Sequence, residues 1–317
     1  MPTTPSPGPD VVICGAARAG TTFLASLLSR HPAVDAGAVK ESNFFSREFK
    51  RGTGWYDGLY QTRAEGLLRL DASTSYTSAR FPEALGRLVE LSPEAVVVYS
   101  VREPLGRLFS HFQLRRDYFR GESATALGDA LTGSDVYCGA SDYARWLGAL
   151  QQLVRAERLL VVPFSVVTER TQEVIDVLCG MLGLDPAGIS VLDAAAQQHR
   201  NEVVEFRHES IRRARKLVRR TGIYPWLRRR VGKDRLRGIR AQLTRNVASE
   251  SLDDALGTCQ RAQLLSLQRS YDSARVAVVE SLAEQDRRLG LNWSAPWRLE
   301  CPEGGHPALT RRLEVTS

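Results

Sequence analysis

Residues 13–23 read Ile13-Cys14-Gly15-Ala16-Ala17-Arg18-Ala19-Gly20-Thr21-Thr22-Phe23. Two glycines five apart follow a short apolar run, and two threonines then open an apolar helix. Such a turn converges backbone N–H groups and a helix N-terminus on one point, which is the chemistry of a phosphate cradle. The ATP- and GTP-binding version of this loop reads G-x-x-x-x-G-K-[ST], its Lys reaching the β- and γ-phosphates. Here Thr21 stands where that Lys would be, and Arg18 supplies a cation from inside the loop. Gly15, Ala16, Ala17, Arg18, Ala19, Gly20, Thr21 and Thr22 are therefore candidates for holding a phosphate group shorter than a triphosphate.

A second constellation follows the run Ala95–Val101: Arg102-Glu103-Pro104-Leu105-Gly106-Arg107-Leu108-Phe109-Ser110. Ligands of open α/β sheets sit beyond the carboxyl ends of strands, where Arg102 falls. Pro104 pre-sets the turn into a helix. Arg102 and Ser110, eight apart, then approach one phosphate from two sides, and a guanidinium fork matches phosphate oxygens. A third is Lys40-Glu41-Ser42-Asn43-Phe44-Phe45, in which a carboxylate beside a cation precedes aromatics. Its residue types alone leave two readings: a general base, Glu41, with Lys40 beside it, or a solvated ion pair at a helix start. Phe44, Phe45 and Tyr76 are candidates for walling an acceptor pocket or for the core. His111, next to Ser110, is a candidate for contact with either substrate.

The elements that position these residues alternate between strand-like and helix-like segments, the pattern of a parallel sheet covered by helices. Strands are predicted at Val11–Cys14, Leu67–Leu70, Ala95–Val101 and Arg158–Pro163. Helices are predicted at Thr22–Ser29, Phe81–Leu91, Arg107–Phe119, Tyr143–Arg155 and Val166–Leu182. Beyond Pro186 the pattern weakens into a basic stretch with helical spacing at Glu205–Arg220 and Asp234–Thr244. A long amphipathic helix follows from about Ala262 to Leu289, with Trp293 and Trp297 closing the ordered part. The expected organisation is a disordered lead over 1–10, a single domain over 11–298 with a basic helical segment at about 200–250, and a tail over 299–317.

The 317 residues and 43% apolar content suit a domain with a substantial core, and no run of eighteen apolar residues exists to span a membrane. The first ten residues lack the basic and apolar regions of a signal peptide. Five cysteines, odd in number and without a C-x-x-C pair, argue against structural disulfides and a zinc site and fit a reducing cytoplasm. The net charge of +7 is concentrated: residues 207–245 hold fifteen Lys/Arg against two Asp/Glu, so the rest of the chain is net acidic. Trp226 interrupts that stretch. Basic and aromatic residues together suit a nucleic acid or an anionic membrane surface, whereas a solvated flap needs no partner.

Taken in order, the Gly15–Thr22 loop, His31-Pro32, Lys40-Glu41 with Phe44-Phe45, and Arg102–Ser110 resemble the sulfotransferases that use 3′-phosphoadenosine 5′-phosphosulfate. The likeness is to the carbohydrate group containing the heparan sulfate N- and 3-O-sulfotransferases and bacterial relatives. Gly54-Trp55-Tyr56, Asp71-Ala72-Ser73-Thr74-Ser75-Tyr76, Ser141-Asp142-Tyr143 and Leu159–Leu184 extend it over about residues 10–190. The resemblance implies a P-loop-like three-layer α/β fold with a central parallel sheet flanked by helices. It implies that Gly15–Thr22 holds the 5′-phosphosulfate, that Arg102 and Ser110 bind the 3′-phosphate, and that Glu41 deprotonates the acceptor. Two positions depart from the heparan pattern: Arg18 replaces a usual Lys, and Ala72 replaces a Lys that helps position acceptor or donor.

Sulfuryl transfer requires in-line positioning and neutralisation of the leaving phosphate. The loop amides and Arg18 suit that task. The expected acceptor is a hydroxyl or amine of a carbohydrate, glycolipid or glycosylated metabolite, with no metal and no nucleic-acid partner. In such enzymes loops build the acceptor pocket, here roughly 46–66, 120–140 and 195–250. The alternatives are an atypical P-loop kinase, for which Asp71 is the only magnesium candidate, and a nucleic-acid or membrane-surface module using 207–245.

Overall fold

The computed structural model describes residues 8–60, 67–119, 121–190, 204–206, 244–246 and 250–316. Its centre is a five-stranded parallel sheet made of β1 (Val11–Gly15), β2 (Val34–Asp35), β3 (Leu68–Asp71), β4 (Val96–Val101) and β5 (Leu159–Pro163). The spatial order is β2-β3-β1-β4-β5. Strands β1, β4 and β5 are buried along their whole length, which is why they read as continuous apolar runs without alternation. Val11 pairs with Leu70 on one side and Val96 on the other, while Val101 pairs with Pro163. The chain moves from β1 to one side of the sheet and later returns to the other. The carboxyl ends of β1 and β4 therefore flank a topological switch point, where doubly wound sheets bind ligands.

Helices α1 (Thr21–Leu28), α2 (Gly52–Asp57), α3 (Ala84–Leu91), α4 (Pro104–Gln113), α5 (Leu127–Gly133), α6 (Tyr143–Leu153), α7 (Phe164–Glu169) and α8 (Thr171–Leu182) complete the first part. After them come α9 (Leu252–Leu256), α10 (Arg261–Leu289), α11 (Ser294–Glu300) and α12 (Pro307–Val315). Helix α10 lies against α6 and the edge strand β5. There the Gln285 side chain accepts from Val161 N at 2.8 Å and donates to Val161 O at 2.9 Å, satisfying backbone groups that an edge strand otherwise leaves open. Among the described residues no helix is long and apolar enough to cross a membrane.

Several boundaries differ from expectation. The helix predicted at Arg107–Phe119 starts three residues earlier, because Glu103 caps it. The carboxylate accepts from Leu105 N at 2.8 Å and also from Gly106 N, with Pro104 in the first turn. Beyond Gln113 the chain widens into a π-helical turn over Leu114–Phe119. The single helix predicted over Val166–Leu182 is two, broken at Arg170 (φ −125°, ψ 42°), and the Thr171 hydroxyl bonds back to Val167 O at the break. Helix α3 begins at Ala84, since Phe81 and Pro82 belong to the turn before it.

The lead is packed where it is described: Gly8 and Pro9 are buried. The tail predicted after Trp297 carries α12, whose Ala308 and Leu309 are buried, so the ordered chain runs past residue 298. Residues 204–206 and 244–246 form a short antiparallel ladder, Val204 opposite Asn246. Strand therefore replaces the predicted helix at Glu205, Phe206 and Thr244. The body of the basic segment, including Trp226, lies outside the described residues.

Candidate active site

The loop after β1 is held open by its own backbone. Ala16 N donates to Ser100 O at 2.7 Å and Ala19 N to Ala16 O at 3.2 Å, while the Ser100 hydroxyl donates to Ala19 O. Arg18 (φ 73°) and Gly20 (φ 86°) both adopt the left-handed region. At Gly20 this favours glycine, and a Cβ would also stand 2.8 Å from the Phe164 ring. None of the backbone hydrogen bonds among the described residues uses the amides of Ala17, Arg18, Gly20, Thr21 or Thr22. Five donors at the start of α1 are thus free for an anion, which is what a phosphate group requires.

Three of the predicted ligand residues meet here. Arg18 Nε donates to Ser110 Oγ at 3.0 Å, and Arg102 Nη1 reaches Arg18 O at 3.4 Å. Arg102 is fixed at the end of β4 by Tyr143, whose hydroxyl accepts from Arg102 N at 3.1 Å and donates to Arg102 O at 2.7 Å. Its guanidinium stacks 5.0 Å above the Phe164 ring. Burial, together with Arg102 and Arg107, lowers the Arg18 pKa to about 10, which leaves it charged at neutral pH. A cluster of cations this close favours occupation by an anion.

Arg107 was quoted in the sequence but assigned no role. It is fully buried and bonds three groups on two segments. Its Nη1 donates to Ala17 O at 3.1 Å, its Nε to Ser141 Oγ at 2.6 Å, and its Nη2 to Tyr137 O. The available signal was helical spacing: Arg107 lies one turn before Ser110 and His111, on the same side of α4. His111 Nδ1 is 3.4 Å from Arg107 Nη1. Burial, with Arg107, Arg115 and Arg18 nearby, pulls the His111 pKa down to about 3, so the ring is neutral and this nitrogen is an acceptor.

A cleft of about 360 Å³ opens beside the loop. Ala17, Glu41 and His111 share it, together with Asn43, Arg115 and Ser75. Two further stretches, Thr74–Arg80 and Ser134–Ala140, contribute walls; the second belongs to the loops expected to contact an acceptor, while the first was missed. Glu41 is exposed and accepts from Lys40 Nζ at 3.0 Å; Lys40 does not line the cleft. The Glu41 segment hangs on the residues after β3. Ser42 Oγ donates to Asp71 Oδ2 at 2.7 Å, Asn43 N to Ser73 Oγ at 3.1 Å, and Ser75 Oγ to Asn43 Oδ1 at 2.7 Å.

The aromatic candidates are placed elsewhere. Phe44 and Phe45 are fully buried, Phe44 stacked on Tyr56 at 4.4 Å and Phe45 edge-on to Tyr76 at 5.3 Å. They form core rather than acceptor wall. Tyr76 is buried too, its hydroxyl spent on Asp71 Oδ2 at 2.6 Å. Asp71 also accepts from Tyr56 at 3.0 Å and from Ser73 at 2.7 Å. Fully buried and saturated by hydroxyls, this carboxyl does not face the cleft as a magnesium ligand would.

Comparison with known proteins gives the family. A family model described as the sulfotransferase domain matches residues 8–230. Over 116 residues the chain is 32% identical to heparan sulfate glucosamine 3-O-sulfotransferase 6 of Mus musculus, covering 35% of this chain and 33% of that protein. Over 111 residues it is 31% identical to the bifunctional heparan sulfate N-deacetylase/N-sulfotransferase 1 of Caenorhabditis briggsae, covering 33% and 12%. The matches thus span a third or less of these curated relatives' length. The sulfotransferase from Alicyclobacillus acidocaldarius shares the P-loop-like fold, with a TM-score of 0.50 and 22% identity over 57% of this chain and 83% of that one. With most of the chain inside the matched domain, this protein belongs to the sulfotransferase family.

Proposed function

We propose that this chain transfers a sulfuryl group from 3′-phosphoadenosine 5′-phosphosulfate to a hydroxyl or amine of a carbohydrate, glycolipid or glycosylated metabolite. The observation that carries the reading is the cleft shared by Ala17 of the loop and Glu41, which supports a carboxylate working next to a loop with free amides. Those amides and Arg18 fit the 5′-phosphosulfate, and Arg102 with Ser110 fits the 3′-phosphate. Bound there, the donor supplies the sulfuryl group and a phosphate leaving group.

The chain's own residues perform the rest. The loop amides and Arg18 stabilise negative charge at the phosphate, pre-oriented so that no reorganisation is needed. Arg18 serves where the heparan pattern has Lys, because a guanidinium carries the same charge with more donors. Glu41 accepts the acceptor's proton from the cleft side. General-base assistance contributes about 10²–10⁴-fold. The test is Glu41→Gln, assayed by transfer from radiolabelled donor to a panel of carbohydrates and by calorimetric binding of 3′,5′-ADP. Turnover falls in about that range while 3′,5′-ADP affinity holds; full turnover in the variant removes Glu41 from the role.

A further inference from the structure

A buried arginine normally answers a carboxylate, since an isolated charge inside a protein costs several kcal/mol. Arg107 is completely buried, yet among the described residues its hydrogen bonds reach no carboxylate. Its donors go instead to neutral groups on two separate walls. Ala17 O belongs to the phosphate loop. Tyr137 O and Ser141 Oγ belong to the segment whose Val136, Gly139 and Ala140 line the acceptor side of the cleft. The Ser141 hydroxyl passes the connection on, donating to Pro104 O at 3.0 Å in the first turn of α4. His111, neutral and in the cleft, takes the remaining contact.

A guanidinium is rigid and planar, so acceptors bonded to its separate nitrogens are held in fixed relation. Bonding Ala17 through its carbonyl also leaves the Ala17 amide for an anion. We propose that Arg107 is a positioning residue that locks the phosphate loop and the 137–141 wall of the acceptor cleft into one register, so that filling the loop orders the acceptor wall. The role rests on the reading of Gly15–Thr22 as the donor site. Arg107 need not touch donor or acceptor: the Glu103 carboxylate, bonded to the Leu105 and Gly106 amides, offsets its charge only through space, and an anion across the loop adds to that.

Hydrogen exchange with 3′,5′-ADP as the probe tests this without an identified acceptor. In the wild-type chain, saturating 3′,5′-ADP slows exchange both in residues 15–22 and in residues 134–141. In Arg107→Lys, which keeps the charge but not the fork, 3′,5′-ADP still protects 15–22, protection of 134–141 is lost, and affinity falls about tenfold. Should Arg107→Lys fail to fold, Ser141→Ala removes one arm of the same link and shows the same selective loss. A folded variant that binds as tightly as wild type and still protects 134–141 overturns the proposal. So does a wild-type chain that binds 3′,5′-ADP without protecting 134–141. A wild-type chain that does not bind 3′,5′-ADP overturns the donor-site reading, and the role of Arg107 with it.

Discussion

Asp71→Ala is a demanding perturbation of the scaffold beneath Glu41. The Asp71 carboxyl accepts from four hydroxyls, those of Ser42, Ser73, Tyr56 and Tyr76, at 2.6–3.0 Å. Two of these four donors find another acceptor when it is removed, one of them within the Ser42–Tyr76 pair. Tyr56 stays 3.0 Å from the Tyr60 hydroxyl, and Ser42 3.1 Å from Tyr76. About two hydroxyls are then left buried without an acceptor, each costing about 1–3 kcal/mol. Removing a carboxyl whose pKa is raised by burial returns part of that loss. The net destabilisation is about 2–4 kcal/mol. Urea unfolding measures it: the midpoint falls at constant slope. Asp71→Asn, which keeps the shape and one acceptor oxygen, loses about half as much. Because Ser42 and Ser73 carry the Glu41–Asn43 turn, both variants also lower transfer while 3′,5′-ADP still binds. A loss below about 1 kcal/mol in Asp71→Ala refutes the hydroxyl accounting.

Further outcomes follow from other contacts. Arg102→Ala weakens 3′,5′-ADP binding by about 1.5–3 kcal/mol, the scale of a hydrogen bond to a charged group; unchanged affinity in calorimetry rejects that role. His111 stays neutral in the folded chain down to about pH 3, whereas the unfolded chain protonates it near its ordinary value of 6.5. Its contribution to stability is thus complete above pH 6.5 and declines as the pH falls below it. Residual solvent access reduces the effect, and between pH 7 and 5 wild type loses about 1–2 kcal/mol more than His111→Asn in chemical denaturation. Gln285→Ala strips the Val161 backbone of both partners and costs about 1–3 kcal/mol, since the groove beside it admits water; an unshifted thermal midpoint contradicts the edge-capping role.

The frame was legible because its strands are buried on both faces and so appear as unbroken apolar runs. Val11–Cys14, Ala95–Val101 and Arg158–Pro163 each fall within a residue of the observed bounds at either end. The loop after β1 was legible because Gly20 answers a local backbone demand. Strand β2, only two residues long, offers no periodicity to read. The break at Arg170 depends on backbone geometry and a hydroxyl bond that residue types alone do not distinguish from continuous helix. Phe44, Phe45 and Tyr76 stay open between core and pocket wall in the sequence for a different reason: an aromatic cluster supporting a site and one lining it have the same composition. Asp71 lies between Phe45 and Tyr76 in sequence, and only the folded chain brings Ser42, Tyr56 and Tyr76 onto one carboxyl. Arg107 stayed hidden because its value lies in two distant carbonyls, Ala17 and Tyr137, for which a sequence has no sign.

The donor site is the centre of the account, and calorimetric binding of 3′,5′-ADP beside 5′-AMP and ATP, with and without magnesium, tests it most directly. The geometry of Arg18, Arg102 and Ser110 predicts that 3′,5′-ADP binds independently of magnesium and at least about tenfold more tightly than 5′-AMP, the 3′-phosphate making the difference. Preference for ATP with magnesium, or equal binding of 5′-AMP, would contradict it.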